Sequence, residues 1–381
     1  MKNFEFYNPV RLVFGRDTIA QLAELVPTDT RVLVTYGGGS VKKNGVYEQV
    51  TKALERHDTV EFWGIEANPK VETLRKAIAL GKERGVGFVL AVGGGSVLDA
   101  SKLIAGALLT DEDAWDIVLS GGPKKAVPLG TVLTLPATGS EMNSGGVISN
   151  LATGEKFGFF GQFPRFSILD PQVTNTLPER QIALGLADTF VHVMEQYICV
   201  TGESRLMDRW AESLLVSLVE LSAELQENPT SYDLRADFML CATMALNGFI
   251  SMGVTQDWAT HLIGHELTAL HGLEHGATLA IVLPALLRTL SKQKAGKLLQ
   301  YGSRVWGITE GTDEERIAAA IDSTEKFFRS IGLSTRLGEE NIGQDTISEI
   351  KSRFDKRKAA YGEARNVDGD MAVRILQAAL L

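Results

Sequence analysis

Histidines are concentrated in one short stretch of the chain. The protein has 381 residues and six histidines, and four of these, His261, His265, His271 and His275, lie within the segment WATHLIGHELTALHGLEHG. Imidazole is a common metal ligand and also acts as a general acid or base near neutral pH. One histidine alone is more often a packed or surface residue. Four in one segment predict a site for metal or acid–base chemistry.

A second region of the sequence supplies a carboxylate and a fifth histidine. Asp188 and His192 are four residues apart in a segment with a helical pattern, so they share one helix face. Gly272 is expected to end the helix that follows His261, so a separate segment would deliver the last histidine. We predict one metal site with four ligands: Asp188, His192, His261 and His275.

The predicted ligand types limit which metal fits the site. Nitrogen and oxygen ligands suit Fe²⁺, Zn²⁺ or Mn²⁺ rather than a metal that prefers thiolates. Four protein ligands would complete a tetrahedral zinc site, whereas a catalytic ion also needs a position for substrate. This requirement favours Fe²⁺, and Zn²⁺ remains the alternative.

The composition is that of a globular protein without a nucleic-acid partner. Apolar residues make up 44% of the chain and the net charge is −9, whereas a nucleic-acid binder normally has a basic face. Cys199 and Cys241 lie in apolar segments, which indicates neither a disulfide framework nor cysteine-ligated zinc. No apolar run has the roughly 18–20 residues needed to cross a bilayer, and the opening segment does not resemble a signal peptide. We expect a cytoplasmic protein without membrane contact.

The distribution of prolines divides the chain into two parts. Nine of the eleven prolines lie at or before Pro178, and a proline inside a helix costs about 3 kcal/mol. The part after Pro178 should therefore be mainly helical. A chain of this length is expected to form two domains. We predict an α/β dinucleotide-binding domain at residues 1–178 and an all-α metal-binding domain at residues 179–381.

Apolar segments in the first part alternate with segments of helical pattern. Strands are predicted at residues 31–36, 59–64, 87–92, 129–135 and 167–169. Alternating strands and helices predict a mainly parallel sheet that is covered on both faces. A turn at Asn8-Pro9 is expected to create an edge hairpin at the N-terminus.

Two GGGS loops each follow a predicted buried strand. The candidate cofactor contacts in them are Gly37, Gly38, Gly39, Ser40, Gly94, Gly95 and Ser96. Ligands bind at the carboxyl edge of a parallel sheet, where glycine allows close backbone approach and helix N-termini attract anions. We predict that the loops bind the pyrophosphate of a dinucleotide. Neither is the GxGxxG fingerprint, and a strand–helix turn without a ligand is the alternative.

Polar side chains near the loops are further candidates for cofactor contacts. Asp99 could bond a sugar or an amide, or it could complement the helix dipole. Thr134, Thr138 and Ser140, in the segment TLPATGSE, suit a ribose or a nicotinamide amide, although ordinary turns also carry such hydroxyls. The first loop is followed by two lysines, and no acidic residue is placed to bind a ribose 2′-hydroxyl. These features favour NADP(H), with NAD(H) left open.

Together these motifs resemble the iron-containing alcohol dehydrogenases. The matching features are the two GGGS loops, TLPATGSE, the DxxxH pair, and HxxxH with a histidine ten residues further on. The segments TYGGGSVKKNGV and QDWATHLIGHELTA are especially similar to the NADPH-dependent aldehyde reductase and butanol dehydrogenase branch. The resemblance implies a Rossmann-like N-terminal domain and a helical C-terminal domain in a dehydroquinate synthase-like architecture. It also implies an active site in the cleft between the domains, and a homodimer.

The resemblance further implies roles for individual residues. It implies that the four predicted ligands bind the metal, and that His271 is not a ligand. His265 would lie near the nicotinamide, and Lys156 would contact the cofactor. His265 and Asp99 are the candidate catalytic residues.

The sequence therefore predicts a metal-dependent, NADP(H)-linked alcohol dehydrogenase or aldehyde reductase. It would interconvert short-to-medium-chain primary alcohols, such as butanol, and aldehydes by hydride transfer. One alternative is an NAD(H)-dependent butanol, glycerol or diol dehydrogenase of the same fold. A dehydroquinate synthase-like lyase would need several basic residues for a phosphorylated substrate, and no lysine or arginine lies between His261 and His275. A non-enzymatic nucleotide-binding or metal-binding protein is the last alternative.

Overall fold

The computed structural model describes residues 1–200 and 204–381 of the chain. The strands in these residues are β1 (Arg11–Phe14), β2 (Val32–Tyr36), β3 (Thr59–Phe62), β4 (Phe88–Gly94), β5 (Leu129–Leu135), β6 (Gly145–Asn150), β7 (Glu155–Phe160) and β8 (Phe166–Leu169). The helices are α1 (Leu22–Leu25), α2 (Val46–Ala53), α3 (Val71–Glu83), α4 (Gly95–Ala107), α5 (Ala114–Leu119), α6 (Glu179–Tyr197), α7 (Arg205–Glu227), α8 (Tyr232–Ala245), α9 (Ala259–His271), α10 (His275–Thr289), α11 (Ala295–Val305), α12 (Asp313–Ser330), α13 (Gln344–Arg357) and α14 (Gly369–Ala378). Each helix in these ranges is too short or too polar to cross a lipid bilayer.

The chain forms two compact units, each assembled from separate segments. The unit that we call the sheet unit consists of Tyr7–Pro178 and Glu227–Asn247. The unit that we call the helical unit consists of Met1–Phe6, Glu179–Gln226 and Gly248–Leu381. The sequence predicts two continuous domains, at residues 1–178 and 179–381. It does not predict that Met1–Phe6 belongs to the helical unit or that Glu227–Asn247 belongs to the sheet unit, although one limit of the units does lie directly after Pro178.

The sheet unit is built on a parallel sheet. Among the described residues this sheet has six strands, in the order β1-β8-β5-β4-β2-β3. The central strands are buried along almost their whole length, as is typical of a parallel sheet covered on both faces. Leu33 and Ala91 pack in the core on the side of α3 and α4, whereas Val34 and Leu90 pack on the side of α1 and α2. The predicted α/β class with a parallel sheet is confirmed.

The predicted N-terminal hairpin is wrong. Strand β1 instead runs parallel to β8, with Arg11 opposite Phe166. Asn8 explains the difference, because its Nδ2 donates to the carbonyls of Met142 at 2.8 Å and Asn247 at 3.3 Å. These bonds hold the chain before β1 away from an antiparallel turn. An antiparallel pair does form at β6 and β7, where none was predicted.

Helix α8 belongs to the sheet unit because buried polar side chains bind it there. The guanidinium of Arg235, which is 1% exposed, donates from Nη1 to the carbonyl of Thr174 at 2.8 Å. Thr243 Oγ1 donates to Glu141 Oε1 at 2.6 Å. Helix α8 ends at Ala245, and the chain belongs to the helical unit again from Gly248.

Helix α10 is buried and contains a proline. Its first residue is His275, and Pro284 lies inside it. Residues 276–287 are all buried, so the apolar area removed from water outweighs the cost of about 3 kcal/mol for an internal proline. The helical character predicted for the C-terminal part is confirmed.

Candidate metal centre and cofactor-binding loops

Three helices of the helical unit bring the four predicted metal ligands together. Asp188 and His192 lie on one face of α6, and His261 lies in the first turn of α9. Gly272 ends α9 in the left-handed conformation, with φ of 70°. The chain then re-enters a helix at His275, the first residue of α10. The break at Gly272 therefore allows two histidines of one short segment to face the same point.

The separations between the four side chains fit a bound metal ion. Asp188 Oδ1 lies 3.5 Å from His192 Nε2, and 3.6 Å from the Nε2 atoms of both His261 and His275. Ligand atoms that each lie about 2.1 Å from an ion at tetrahedral corners are about 3.4 Å apart. Asp188, His192 and His261 are buried. The ligand atoms of Asp188, His261 and His275 all lie within 4.8 Å of one another. Together with His192 they offer one carboxylate and three imidazoles, a donor set suited to Fe²⁺ or Zn²⁺.

A carboxylate that sequence analysis missed orients one of these histidines. Glu195 of α6 is 1% exposed, and its Oε2 accepts a hydrogen bond from Nδ1 of His261. This bond turns His261 Nε2 toward Asp188 Oδ1. Burial opposes the charged imidazolium, but Glu195 and Asp188 outweigh it and raise the pKa of His261 to about 9. The signal available in the sequence was spacing, because Glu195 follows His192 by three residues and so lies on the same helix face.

The two remaining histidines of the segment have different environments. His265 is buried, and its ring centroid lies 5.3 Å from that of His275 and 6.3 Å from that of His261. His271 is exposed, and its Nε2 lies 2.9 Å from Thr346 Oγ1. The structure thus places His265 beside the predicted ligands and His271 outside the cluster.

Trp258 packs against two of the predicted ligands from the start of α9. Its ring centroid lies 5.2 Å from that of His261 and 6.1 Å from that of His192, in edge-on arrangements. Its backbone has φ of 65°, a left-handed conformation that is uncommon outside glycine. Trp258 precedes the helix without capping it through its side chain. The amides of the first turn therefore need other acceptors.

The two glycine loops lie side by side in the sheet unit. Strands β2 and β4 are parallel neighbours, and Tyr36 pairs with Val92, so both loops leave the same edge of the sheet. Gly38 and Ser40 are exposed. Gly39 has φ of 98°, which favours glycine. Because β2 and β4 are parallel and in this register, both predicted loops lie at the carboxyl edge of the sheet.

The second loop leads directly into a helix. Gly94 precedes α4, and Gly95 is its first residue, with Ser96 following in the first turn. A Cβ atom added to Gly95 would overlap the side chain of Thr138. The backbone amides at the start of α4 are therefore close to the TLPATGSE segment. This is the arrangement expected of an anion-binding helix N-terminus.

The predicted contacts Asp99 and Ser140 bond to each other. Ser140 Oγ donates to Asp99 Oδ1 at 2.6 Å, and the amide of Val147 donates to Asp99 Oδ2 at 3.0 Å. The Lys102 ammonium, which is 0% exposed, donates to Ser140 Oγ at 2.7 Å. Burial raises the pKa of Asp99 and lowers that of Lys102 to about 8, against their mutual attraction. Sequence analysis missed Lys102, a lysine in an apolar helix.

The other predicted cofactor contacts occupy neighbouring elements of the sheet unit. Thr134 is buried near the end of β5. Thr138 Oγ1 accepts a hydrogen bond from the amide of Ser140 at 3.2 Å. Lys156, on β7, is buried and donates from Nζ to Asn68 Oδ1 at 2.8 Å. Their contacts with a cofactor stay predictions.

The fold and the two candidate sites define a class of protein. A parallel sheet with glycine loops at its carboxyl edge suits a dinucleotide, and the helical unit carries a cluster of histidines around an aspartate. Residues 9–171 match the family model for iron-containing alcohol dehydrogenases, and residues 182–380 match the model for the C-terminal part of that family. The chain belongs to the iron-containing alcohol dehydrogenase family.

Several individual members of this family are similar to the protein over their whole length. The NADPH-dependent aldehyde reductase YqhD of Escherichia coli (strain K12) is 50% identical, over 100% of both chains. Its crystal structure gives a TM-score of 0.97, with 99% of each chain covered. The NADP-dependent alcohol dehydrogenase 3 of Entamoeba histolytica is 43% identical, over 99% of this chain and 98% of that one. The structure of the NADH-dependent butanol dehydrogenase A of Thermotoga maritima is 35% identical with a TM-score of 0.95, covering 100% of this chain and 99% of that one.

These similarities bear on the functional predictions made from the sequence. The predicted family and the predicted class of enzyme, an oxidoreductase, are confirmed. The lyase alternative is not favoured. The predicted two-domain architecture of the family is likewise confirmed by the structural neighbours.

Proposed function

We propose that this protein is a metal-dependent, NADP(H)-linked alcohol dehydrogenase and aldehyde reductase that acts on short-to-medium-chain primary alcohols and aldehydes. The observation that carries the proposal is the approach of Asp188 Oδ1 to three imidazole Nε2 atoms at 3.5–3.6 Å. Full-length identity of 50% to an NADPH-dependent aldehyde reductase supports the reaction. The resident ion is Fe²⁺ or Zn²⁺.

The residues of the helical unit would hold and serve the ion. Asp188, His192, His261 and His275 are the ligands. When bound, the ion supplies Lewis-acid polarisation of a carbonyl oxygen, while the nicotinamide supplies or accepts hydride. His265, buried beside His275, is the candidate for moving a proton to or from the substrate oxygen.

The residues of the sheet unit would hold the dinucleotide. The backbone of the two loops and the N-terminus of α4 take the pyrophosphate. The exposed Gly38 and Ser40, followed by the exposed Lys42 and Lys43, leave room and positive charge for a 2′-phosphate. This favours NADP(H). Because some relatives are NADH-dependent butanol dehydrogenases, the assay below includes NADH.

The leucines between His261 and His275 differ in their exposure to a substrate. Leu267 is 0% exposed and belongs to the core, whereas Leu270 and Leu273 are half-buried. Support for short-to-medium-chain substrates therefore rests mainly on the relatives, whose names include aldehyde reductase and butanol dehydrogenase.

A cytoplasmic homodimer is the proposed state of the protein. Residues 1–10 form neither helix nor strand. In this segment Phe4 is 51% exposed to solvent and Tyr7 is 74% exposed. Apolar side chains exposed in this way are suited to contact with a second chain. Light scattering coupled to gel filtration measures the mass, and a variant with Phe4→Ser and Tyr7→Ser should shift it toward the monomer. An unchanged dimer mass in the variant would remove this segment from the proposal.

An enzyme assay with matched variants tests the reaction. The purified protein is given NADPH or NADH with straight-chain aldehydes from ethanal to octanal, and its metal content is measured in the same sample. We expect NADPH to be consumed with butanal. His261→Ala should lose both the ion and turnover, whereas His271→Ala should keep both because His271 lies outside the cluster. Full turnover by metal-free His261→Ala would refute the proposal.

A further inference from the structure

Glu195 lies on the same helix as two predicted ligands but faces a different group. It follows Asp188 by seven residues and His192 by three on α6, which places all three on one helix face. Its carboxylate is directed at the first turn of α9, where it meets Thr260 and His261. At 1% exposure, this carboxylate cannot rely on water for hydrogen bonds.

The carboxylate of Glu195 caps α9 from a neighbouring helix. Its Oε1 accepts from the amide of Thr260 at 2.6 Å and from the amide of His261 at 3.4 Å. The first amides of a helix have no partners within the helix, and Trp258 offers no side-chain cap. A negative charge at a helix N-terminus is also favourable to the helix dipole. Glu195 thus fixes the part of α9 that carries His261.

A backbone hydrogen bond holds the turn before α9 to Glu195, and a buried ion pair supports that turn. The backbone amide of Asp257 donates to the carbonyl of Glu195 at 2.9 Å, and the Asp257 carboxylate accepts from the amide of Ala259 at 3.1 Å. Lys294, which is 0% exposed, compensates this charge through contacts of 2.9 Å with Asp257 and Glu363. The start of α9 is therefore fixed at both its amides and its preceding turn.

The third contact of Glu195 determines which nitrogen of His261 carries a proton. An ionised carboxylate accepts hydrogen bonds and donates none, so the Nδ1 atom that meets Glu195 Oε2 must carry the hydrogen. The neutral ring then has its lone pair on Nε2. Nε2 is the atom that lies 3.6 Å from Asp188 Oδ1, and a metal ligand needs this lone pair.

We propose that Glu195 is a positioning residue of the metal centre, which sets the Nδ1–H tautomer of His261 and fixes the first turn of α9. The inference rests on the proposed metal-dependent function. Glu195 contacts Nδ1 of His261 and would act on the ion through that residue. Partners of this kind usually change metal affinity by about 10–100-fold.

The test compares Glu195→Gln with a matched buried glutamate. Glutamine keeps the size of the side chain, but its amide nitrogen donates toward His261 and favours a proton on Nε2. Glu212→Gln is the control: Glu212, on α7 of the same unit, is 4% exposed and accepts from Tyr197 and Arg304 rather than from a predicted ligand. Both variants remove one buried carboxylate charge.

Three readouts distinguish positioning from general stability. Zn²⁺ affinity is measured by chelator competition, and the unfolding midpoint is measured on metal-free protein. Nitrogen-15 NMR of the Zn²⁺-loaded protein identifies which ring nitrogen of His261 carries the hydrogen. We expect Glu195→Gln to bind Zn²⁺ about 10–100-fold more weakly, while Glu212→Gln keeps the wild-type affinity even if its unfolding midpoint falls. The wild-type His261 should carry its proton on Nδ1.

Two results would overturn the inference while leaving the proposed function standing. The first is a Glu195→Gln variant that binds Zn²⁺ as tightly as the wild type. The second is an Nε2–H tautomer of His261 in the wild-type protein, which decides the matter even if Glu195→Gln does not fold. If the wild-type protein itself binds neither Zn²⁺ nor Fe²⁺, the proposed function fails, and the inference fails with it.

Discussion

The candidate metal centre is made of side chains, whereas the predicted dinucleotide site is made largely of backbone. In the helical unit, three imidazoles on three helices place their Nε2 atoms 3.5–3.6 Å from one carboxylate oxygen, Asp188 Oδ1. In the sheet unit, two glycine loops leave neighbouring strands at one edge, and side chains such as Asp99 and Ser140 bond to each other. The first site requires particular side-chain atoms, whereas the second requires positions that have no side chain.

Because of this difference, we expect the two sites to respond to opposite kinds of substitution. At the metal centre, function should be lost when a side-chain atom is removed or changed. At the loops, function should be lost when an atom is added, because a side chain would fill the space where the backbone meets its ligand. The substitutions below test each half of this comparison, in order of expected effect.

The largest effect is expected from Asp188→Asn. The substitution keeps the shape of the side chain but replaces the charged oxygen that lies close to all three imidazoles. Loss of an ion that contributes several kcal/mol corresponds to a fall in kcat/KM of about 1,000-fold or more with butanal and NADPH. Asp322→Asn, an exposed aspartate paired with Arg288, should keep kcat/KM within about twofold. A fall of less than tenfold in Asp188→Asn would contradict the assignment of its role.

A smaller effect, on stability, is expected from Lys102→Met. The buried ammonium donates to Ser140 Oγ, Asn143 Oδ1 and the Gly145 carbonyl, at 2.7, 3.0 and 2.6 Å. Its removal leaves these acceptors and the nearby Asp99 without compensation, which should cost about 3–5 kcal/mol of unfolding free energy. Urea unfolding measures the change.

The control for this prediction is an exposed lysine of the same unit. Lys82→Met removes a side chain that is 35% exposed and pairs with Asp111, so it should change the unfolding free energy by at most about 1 kcal/mol. Equal effects for the two lysines would contradict the stabilising role assigned to the buried hydrogen bonds of Lys102.

The smallest effects separate the two glycine loops. No described atom lies within 4 Å of a Cβ added at Gly38, so Gly38→Ala should leave stability unchanged while raising KM for NADPH about tenfold, equivalent to about 1.4 kcal/mol. A Cβ at Gly95 would meet Thr138, so Gly95→Ala should also cost about 1–3 kcal/mol of stability. Steady-state kinetics and urea unfolding check both. An unchanged KM in Gly38→Ala would argue against a cofactor at the first loop.

The sequence predicted some of these residues well because their chemistry is visible in the residue type. Asp188 and the histidines could be paired by spacing, and Gly272 could be identified as the break between two ligands. Each GGGS loop could be placed at a strand end. These inferences needed only local periodicity and the known chemistry of the side chains.

Other residues could not be predicted, because their roles depend on contacts across the chain. Glu195 and Lys102 are buried charges in helices that are mostly apolar, and a sequence does not show which partner compensates a buried charge. The return of α8 to the sheet unit depends on bonds from Arg235 and Thr243 to residues more than 60 positions away.

Metal analysis of the purified protein, coupled to turnover, tests the central claim most directly. The ion is removed with a chelator and then restored as Fe²⁺ or Zn²⁺, while NADPH oxidation with butanal is followed. We expect one ion per chain, loss of turnover on removal and recovery on reloading, and neither ion retention nor recovery in Asp188→Asn. A metal-free protein that turns over at the wild-type rate would contradict the account.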